Sequence, residues 1–219
     1  MGYKAVVFDL DGTLVNTLPD LTHATNTVLE ARGFATYTSD EVRMMVGNGT
    51  RRLLELASPD GSPKEVIDEL MADYLPEYYR VCCNESVPYS GVAELLGRLK
   101  AAGIKRAVVS NKPHECVQRV MNHYFEDLCE FCLGAHDGLA RKPAPDGVYR
   151  ALHALGITDV SEAVYVGDSE VDVACARNAG LDCVIVSWGF RDVEALKDEP
   201  VTIVDDCDAL ERVITGTDR

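Results

Sequence analysis

Short runs of apolar, β-favouring residues recur along this chain: Ala5-Val6-Val7-Phe8, Ala107-Val108-Val109, Ala163-Val164-Tyr165-Val166, Cys183-Val184-Ile185-Val186 and Val201-Thr202-Ile203-Val204. Several are apolar throughout rather than alternating, the pattern of strands buried on both faces. Helical patterns separate them. From Gly91 to Ala102, Val92, Leu95, Leu96 and Leu99 share one face, and Gly103 follows where a helix would end. Strands alternating with helices imply a parallel sheet. Its crossovers are right-handed and its ligands bind in loops at the carboxyl ends of the strands.

One interval breaks the alternation. Between about Asn16 and Val87 no comparable apolar run occurs, and helical patterns from Asp20 to Ala31 and from Lys64 to Arg80 take its place. With 219 residues, 47% of them hydrophobic, the chain can bury a full core and still carry an insertion. The expected organisation is a core from residues 1–15 and 88–219 and a helical cap from residues 16–87. Pro88-Tyr89-Ser90-Gly91 is turn-rich and reads as a hinge. A lid rooted beside a reactive site can exclude water and select substrates.

The formal charge of −15 and a pI near 4.7 argue against a nucleic-acid partner, which needs a basic surface. No apolar stretch approaches membrane-spanning length and no leader precedes the first strand, so a cytoplasmic protein without a membrane partner is expected. The eight cysteines are scattered through apolar segments and are expected to be thiols. Cys129-Glu130-Phe131-Cys132 has the gap of a metal arm but no clear second arm, only the adjacent Cys82-Cys83.

Directly after the first apolar run stands Asp9-Leu10-Asp11-Gly12-Thr13. Residues two apart on a strand point the same way, so both carboxylates can face one pocket. Crowding two acids costs repulsion and desolvation unless a cation neutralises them, so such a site binds a metal or divides acid and base roles. Turn and cap chemistry alone would also use Asp-Gly and Thr. The later strands decide between these readings. Ser110-Asn111-Lys112 follows the second run, Gly167-Asp168-Ser169-Glu170-Val171-Asp172 follows the third, and Arg141-Lys142-Pro143 lies between. A hydroxyl, a cation and more carboxylates thus collect at one sheet edge, an order that capping does not require.

Through these four segments the chain resembles the haloacid dehalogenase superfamily of phosphohydrolases across essentially its whole length. Asp9 to Thr13 matches the first motif, Ser110 the second, Lys142 the third, and Gly167-Asp168-Ser169 with Asp172 the fourth. The resemblance implies an α/β, Rossmann-like (flavodoxin-like) parallel-sheet core with a small inserted α-helical cap. It implies that Asp9 is the nucleophile, forming an aspartyl-phosphate, and that Asp11 protonates the leaving group and then activates water. Mg2+ would be held by Asp9, the Asp11 backbone carbonyl and Asp168, with Ser169 and Asp172 ordering the surroundings. Lys142 would supply fixed positive charge, and Thr13, Ser110 and the amide near Asn111 would bind phosphoryl oxygens. Carbon–halogen dehalogenases of the superfamily lack the second aspartate and phosphonate-cleaving members carry alanine there, so Asp11 argues against both. Asn16 departs from the pattern, where relatives often carry an acid.

Substrate choice is expected in the cap. Its segment Val46-Gly47-Asn48-Gly49-Thr50-Arg51-Arg52 resembles the cap loop of phosphoglycolate phosphatases. Free amides around Gly47, Asn48 and Gly49 at a helix start, with Arg51 nearby, suit a substrate carboxylate. The implied activity is hydrolysis of a small phosphorylated metabolite, with 2-phosphoglycolate foremost, by a monomer or homodimer. A pyrophosphatase, another sugar or nucleotide phosphatase and a phosphomutase stay open. A phosphorylation-dependent regulator shares the acid, hydroxyl and lysine set, but such receivers are much shorter and uncapped, and the intact Asp9, Asp11, Lys142 and Asp168 argue against a catalytically silent binding member.

Overall fold

The computed structural model describes residues 2–217; residues 1, 218 and 219 lie outside it. Six strands form one parallel sheet: β1 (Ala5–Phe8), β4 (Lys105–Pro113), β5 (Phe131–Ala135), β6 (Ala163–Gly167), β7 (Asp182–Val186) and β8 (Thr202–Val204). Their order is β5-β4-β1-β6-β7-β8, so β1 is central and the chain runs outward first on one side of it, then on the other. That reversal opens a crevice beside the end of β1, the position where open α/β sheets bind ligands.

The all-apolar β1 still obeys the two-residue period of a strand. Val6 and Phe8 enter the larger core cluster with α5 (Val92–Ala101), α6 (His114–Tyr124) and α9 (Cys207–Thr215). Ala5 and Val7 enter the opposite cluster with α7 (Asp146–Ala154) and α8 (Glu170–Ala179). Both faces of the strand are covered, which is why no polar residue interrupts it. Phe8 pairs with Val108 on one side and with Val166 on the other, so Asp9, Ser110 and Asp168 emerge together. The sequence patterns anticipate five of these six strands. The exception, β5, is a short edge strand, partly exposed at three of its five positions and interrupted by Gly134, and its brief apolar run Phe131-Cys132-Leu133 is not among the expected strands.

The helical insertion comprises α1 (Leu18–Glu30), α2 (Ser39–Met45), α3 (Thr50–Ala57) and α4 (Lys64–Val81). It joins the core through a two-stranded antiparallel stem, β2 (Val15–Asn16) against β3 (Val87–Pro88), that sequence reading did not foresee. Buried Asp20, in the first turn of α1, fastens the stem. Its carboxylate accepts hydrogen bonds from the Asn84, Glu85 and Ser86 amides and from Ser86 Oγ, the last at 2.6 Å. Asp20→Ala strands three backbone donors, and we expect a loss of about 2–4 kcal/mol, read as a lowered denaturant midpoint. A midpoint equal to wild type would show that the stem does not need this clasp.

Candidate active site

Three acidic side chains meet where β1 and β6 end. One carboxylate oxygen from each of Asp9, Asp168 and Asp172 lies within 4.8 Å of the others, and all three residues are buried. Lys142 Nζ sits 2.8 Å from Asp9 Oδ1 and 2.8 Å from Asp172 Oδ1. Three carboxylates against one ammonium leave two negative charges uncompensated, the charge that a divalent cation neutralises.

The local backbone explains the convergence. Gly12 adopts φ +83°, and a Cβ there would lie 2.3 Å from Asp168 Oδ2; a Cβ on Gly189 would lie 2.2 Å from Asp168 Cβ. Glycine at both positions lets Asp168 approach the β1 loop. Asp168 Oδ2 accepts the Phe190 amide hydrogen at 2.6 Å, and Thr13 Oγ1 lies 3.5 Å from Asp168 Oδ1. Asp172 is committed inside the protein. Its Oδ2 accepts from the Ser169 amide and from Ser169 Oγ at 2.7 Å, while Oδ1 accepts from Lys142 and Tyr165. Asp172 therefore orders Lys142 and the α8 turn, leaving Asp9 and Asp168 as the acids with oxygens to spare.

Burial, reinforced by Asp172 and Asp11, pushes Asp9 up to about 7 despite the Lys142 ammonium. Burial and the neighbouring Asp172 and Asp9 push Asp168 well above the carboxylate range. Burial also opposes ionisation of Asp172, but Lys142 and the hydrogen bonds from Ser169 outweigh it and hold that carboxyl low. Asp9 Oδ1, buried, touches the ammonium without accepting a hydrogen bond of good geometry. These donors fit a hard divalent cation: two oxygen ligands with spare lone pairs in a pocket short of positive charge.

The fit carries a pH dependence. Below about 7, folded Asp9 holds a proton that the unfolded chain, titrating near 3.8, has released. Metal-free stability therefore falls as pH rises from about 4 to about 7. A cation must displace that proton, so its affinity weakens as pH falls below 7. We expect divalent-cation binding at pH 6 to release at least one proton, measured by calorimetry in two buffers of different ionisation enthalpy. Binding without proton release would contradict this.

Asp11 faces the same cavity. Its Oδ1 accepts from Thr17 Oγ1 at 2.6 Å and from Lys112 Nζ at 2.8 Å. Lys112 also bonds the hydroxyl of Tyr78 on α4. Neither Lys112 nor Tyr78 was anticipated from sequence: the lysine directly follows Ser110-Asn111, yet reads as an ordinary polar residue beyond a strand. Ser110 lines the cavity, and its Oγ accepts the Lys112 amide hydrogen at 3.3 Å. Asn111 acts as a bracket. Its side-chain amide donates to the Gly47 and Lys142 carbonyls and accepts from the Lys142 amide, tying the cap loop to the core.

The cap covers this cluster. Leu21, Val46, Gly47, Gly49, Thr50, Leu53 and Tyr78 line the cavity beside the core acids. Gly47 and Gly49 have φ of +119° and +85°, which lets the loop turn into α3. Asn48 and Arg51 are not among the lining residues; Arg51 pairs with Asp68 on α4 instead. The 188–191 segment ties the core loop to the cap: Trp188 Nε1 donates to the Thr13 carbonyl in the core, and Arg191 donates to the Arg43 and Val46 carbonyls in the cap.

Buried carboxylates around one lysine, at the carboxyl edge of a parallel sheet and beneath a helical cap, define a capped α/β protein whose site suits a divalent cation and a charged ligand. Comparison with known proteins agrees. Residues 6–186 match the haloacid dehalogenase-like hydrolase family. A phosphoglycolate phosphatase of Psychrobacter arcticus is 34% identical over 221 residues, 96% of this chain and 95% of that protein. One from Caulobacter vibrioides is 39% identical over 191 residues, 85% of this chain and 80% of that one. A provisionally named phosphoglycolate phosphatase from Lactobacillus delbrueckii subsp. bulgaricus superposes with a TM-score of 0.91 at 34% identity, over 99% of this chain and all of that chain. The chain belongs to the haloacid dehalogenase-like hydrolase family and is a phosphatase of that family. No helix among the described residues is long and apolar enough to cross a membrane.

Proposed function

We propose that this phosphatase uses Mg2+ to hydrolyse 2-phosphoglycolate through an aspartyl-phosphate on Asp9, the helices of residues 16–87 serving as cap to a core of 1–15 and 88–219. The observation that carries the reading is the buried Asp9–Asp168 pair, part of a cluster whose three carboxylates exceed its one lysine by two negative charges, opening beneath the helical cap. Asp9, Asp168 and the Asp11 carbonyl would hold the Mg2+, which would supply charge neutralisation at the phosphoryl oxygens.

The chain's own groups divide the remaining work. An Asp9 carboxylate oxygen bonds to phosphorus as the bond to the leaving oxygen breaks, and Asp11 delivers a proton to that oxygen. Water then attacks phosphorus while Asp11 takes its proton, and the bond from phosphorus to the Asp9 oxygen breaks, freeing inorganic phosphate and regenerating the Asp9 carboxylate. Lys142, fixed by Asp172, places its positive charge beside Asp9 throughout. Ser110 and Thr13 are the hydroxyl donors for phosphoryl oxygens. The substrate assignment draws support from the relatives of similar length named as phosphoglycolate phosphatases.

The test is phosphate release from 2-phosphoglycolate, pyrophosphate, sugar phosphates and nucleotides, with Mg2+ or with EDTA. We expect 2-phosphoglycolate to be preferred and EDTA to abolish release. Preference for another ester would reassign the substrate. Mg2+-independent release would overturn the metal role, and no release from any ester would point to a phosphomutase.

A further inference from the structure

Three cationic side chains line the cavity among its described residues: Lys142, Arg191 and Lys112. Two are committed elsewhere. Lys142 is clamped between Asp9 and Asp172. Arg191 is spent on two cap carbonyls, at 2.8 and 2.7 Å, and on Glu170. Lys112 differs. Its side chain is 1% exposed, and its ammonium contacts Asp11 and the Tyr78 hydroxyl while lying 4.5 Å from the centre of the Tyr78 ring. Thr17 also holds Asp11, so Asp11 keeps its position when the ammonium turns to another anion.

Burying a lysine is costly unless a charge or ligand answers it. Leu21, Val46, Leu53 and Phe190 on the same wall offer an anion nothing, and the polar Thr50, Ser110 and Ser169 carry no charge. Arg51, the cap cation nearest in sequence, is taken by Asp68. Lys112 stands on β4, one of the most enclosed strands, so the ammonium is presented by rigid backbone.

We propose that Lys112, steadied by Tyr78, is the specificity-determining residue that receives a carboxylate on the substrate while the phosphoryl group lies at Asp9 and Lys142. The inference rests on the phosphatase reading above and deepens it: the selective contact comes from the core strand and α4, not from the cap arginine.

Binding can be separated from turnover in the Asp9→Asn variant with Mg2+ present. Calorimetry compares 2-phosphoglycolate with 2-hydroxyethyl phosphate, which lacks the carboxylate. One charge-assisted contact should favour the carboxylated ester by about 10- to 100-fold. Adding Lys112→Met should cut that ratio to within about threefold, with the loss falling on 2-phosphoglycolate. Lys112→Arg, which keeps the charge, should restore part of it. An unchanged ratio in Lys112→Met overturns the inference. Should that variant fail to fold, Tyr78→Phe decides: it removes only the anchoring hydroxyl, should lower the ratio by about threefold, and an unchanged ratio there overturns the inference as well. The underlying reading fails separately, if wild-type turnover shows no preference for 2-phosphoglycolate. The calorimetric ratio still decides Lys112 in that case.

Discussion

Asp9→Asn is expected to leave a folded protein whose kcat for phosphate release falls by at least about 10⁴-fold. The amide matches the carboxylate in shape, and the backbone bond from the Asp9 amide to the Val166 carbonyl, 2.9 Å, is untouched. What disappears is the nucleophile of the proposed mechanism. Asp9 is pushed up to about 7 by burial and by the neighbouring Asp172 and Asp11, so a neutral side chain there also relieves repulsion with those acids and with Asp168. The metal-free variant should therefore melt at or above the wild-type temperature at pH 8. Mg2+ should raise its melting temperature less than it raises that of wild type. Paired phosphate-release and melting measurements check both halves. Turnover within tenfold of wild type would remove Asp9 from the nucleophile's role, and a large fall in melting temperature would assign it a structural one.

Lys142→Met is expected to damage stability and activity together. The ammonium forms ion pairs of 2.8 Å with both Asp9 and Asp172, and its removal leaves three buried carboxylates without a cation. Breaking a buried pair on one side costs about 3–5 kcal/mol. For a chain of this size that lowers Tm by roughly 10 °C. The loss of fixed charge beside the phosphoryl group should lower kcat by about 10³-fold or more. Adding Asp172→Asn separates the two effects. An amide oxygen can still accept from Ser169, and one buried charge is gone, so the double variant should recover part of the Tm and none of the activity. Equal melting temperatures for single and double variants would show that charge imbalance is not the cause.

The site residues differ in how readily sequence shows them. Asp9, Asp11, Ser110 and Asp168 are legible because each follows an apolar run, and the end of a buried strand is where a parallel sheet exposes polar groups. Asp172 is legible as a helix-start acid, but its commitment to Lys142 and Ser169 is not, since a turn acid and a buried ion-pair partner look alike in one dimension. In sequence the cap loop offers Arg52 and Arg51 as added charge, and nothing local shows that Arg51 is spent elsewhere. Asp68, 17 residues along, captures it, and that pairing depends on how α3 packs against α4. Lys112 carried no signal, because a lysine after a strand is ordinarily solvated.

The parallel α/β core, the helical insertion and the acidic cluster follow from sequence alone. Apolar runs long enough to bury both strand faces, helical periodicity between them and acids at strand ends are local features, imposed by sterics and hydrophobic burial. Strand order, the β2–β3 stem clasped by Asp20, the edge strand β5 and the choice of partner for each buried charge belong to the tertiary structure. They depend on contacts between residues far apart in the chain. Such contacts exist only once the layers have packed and the low-dielectric interior has made every unpaired charge expensive.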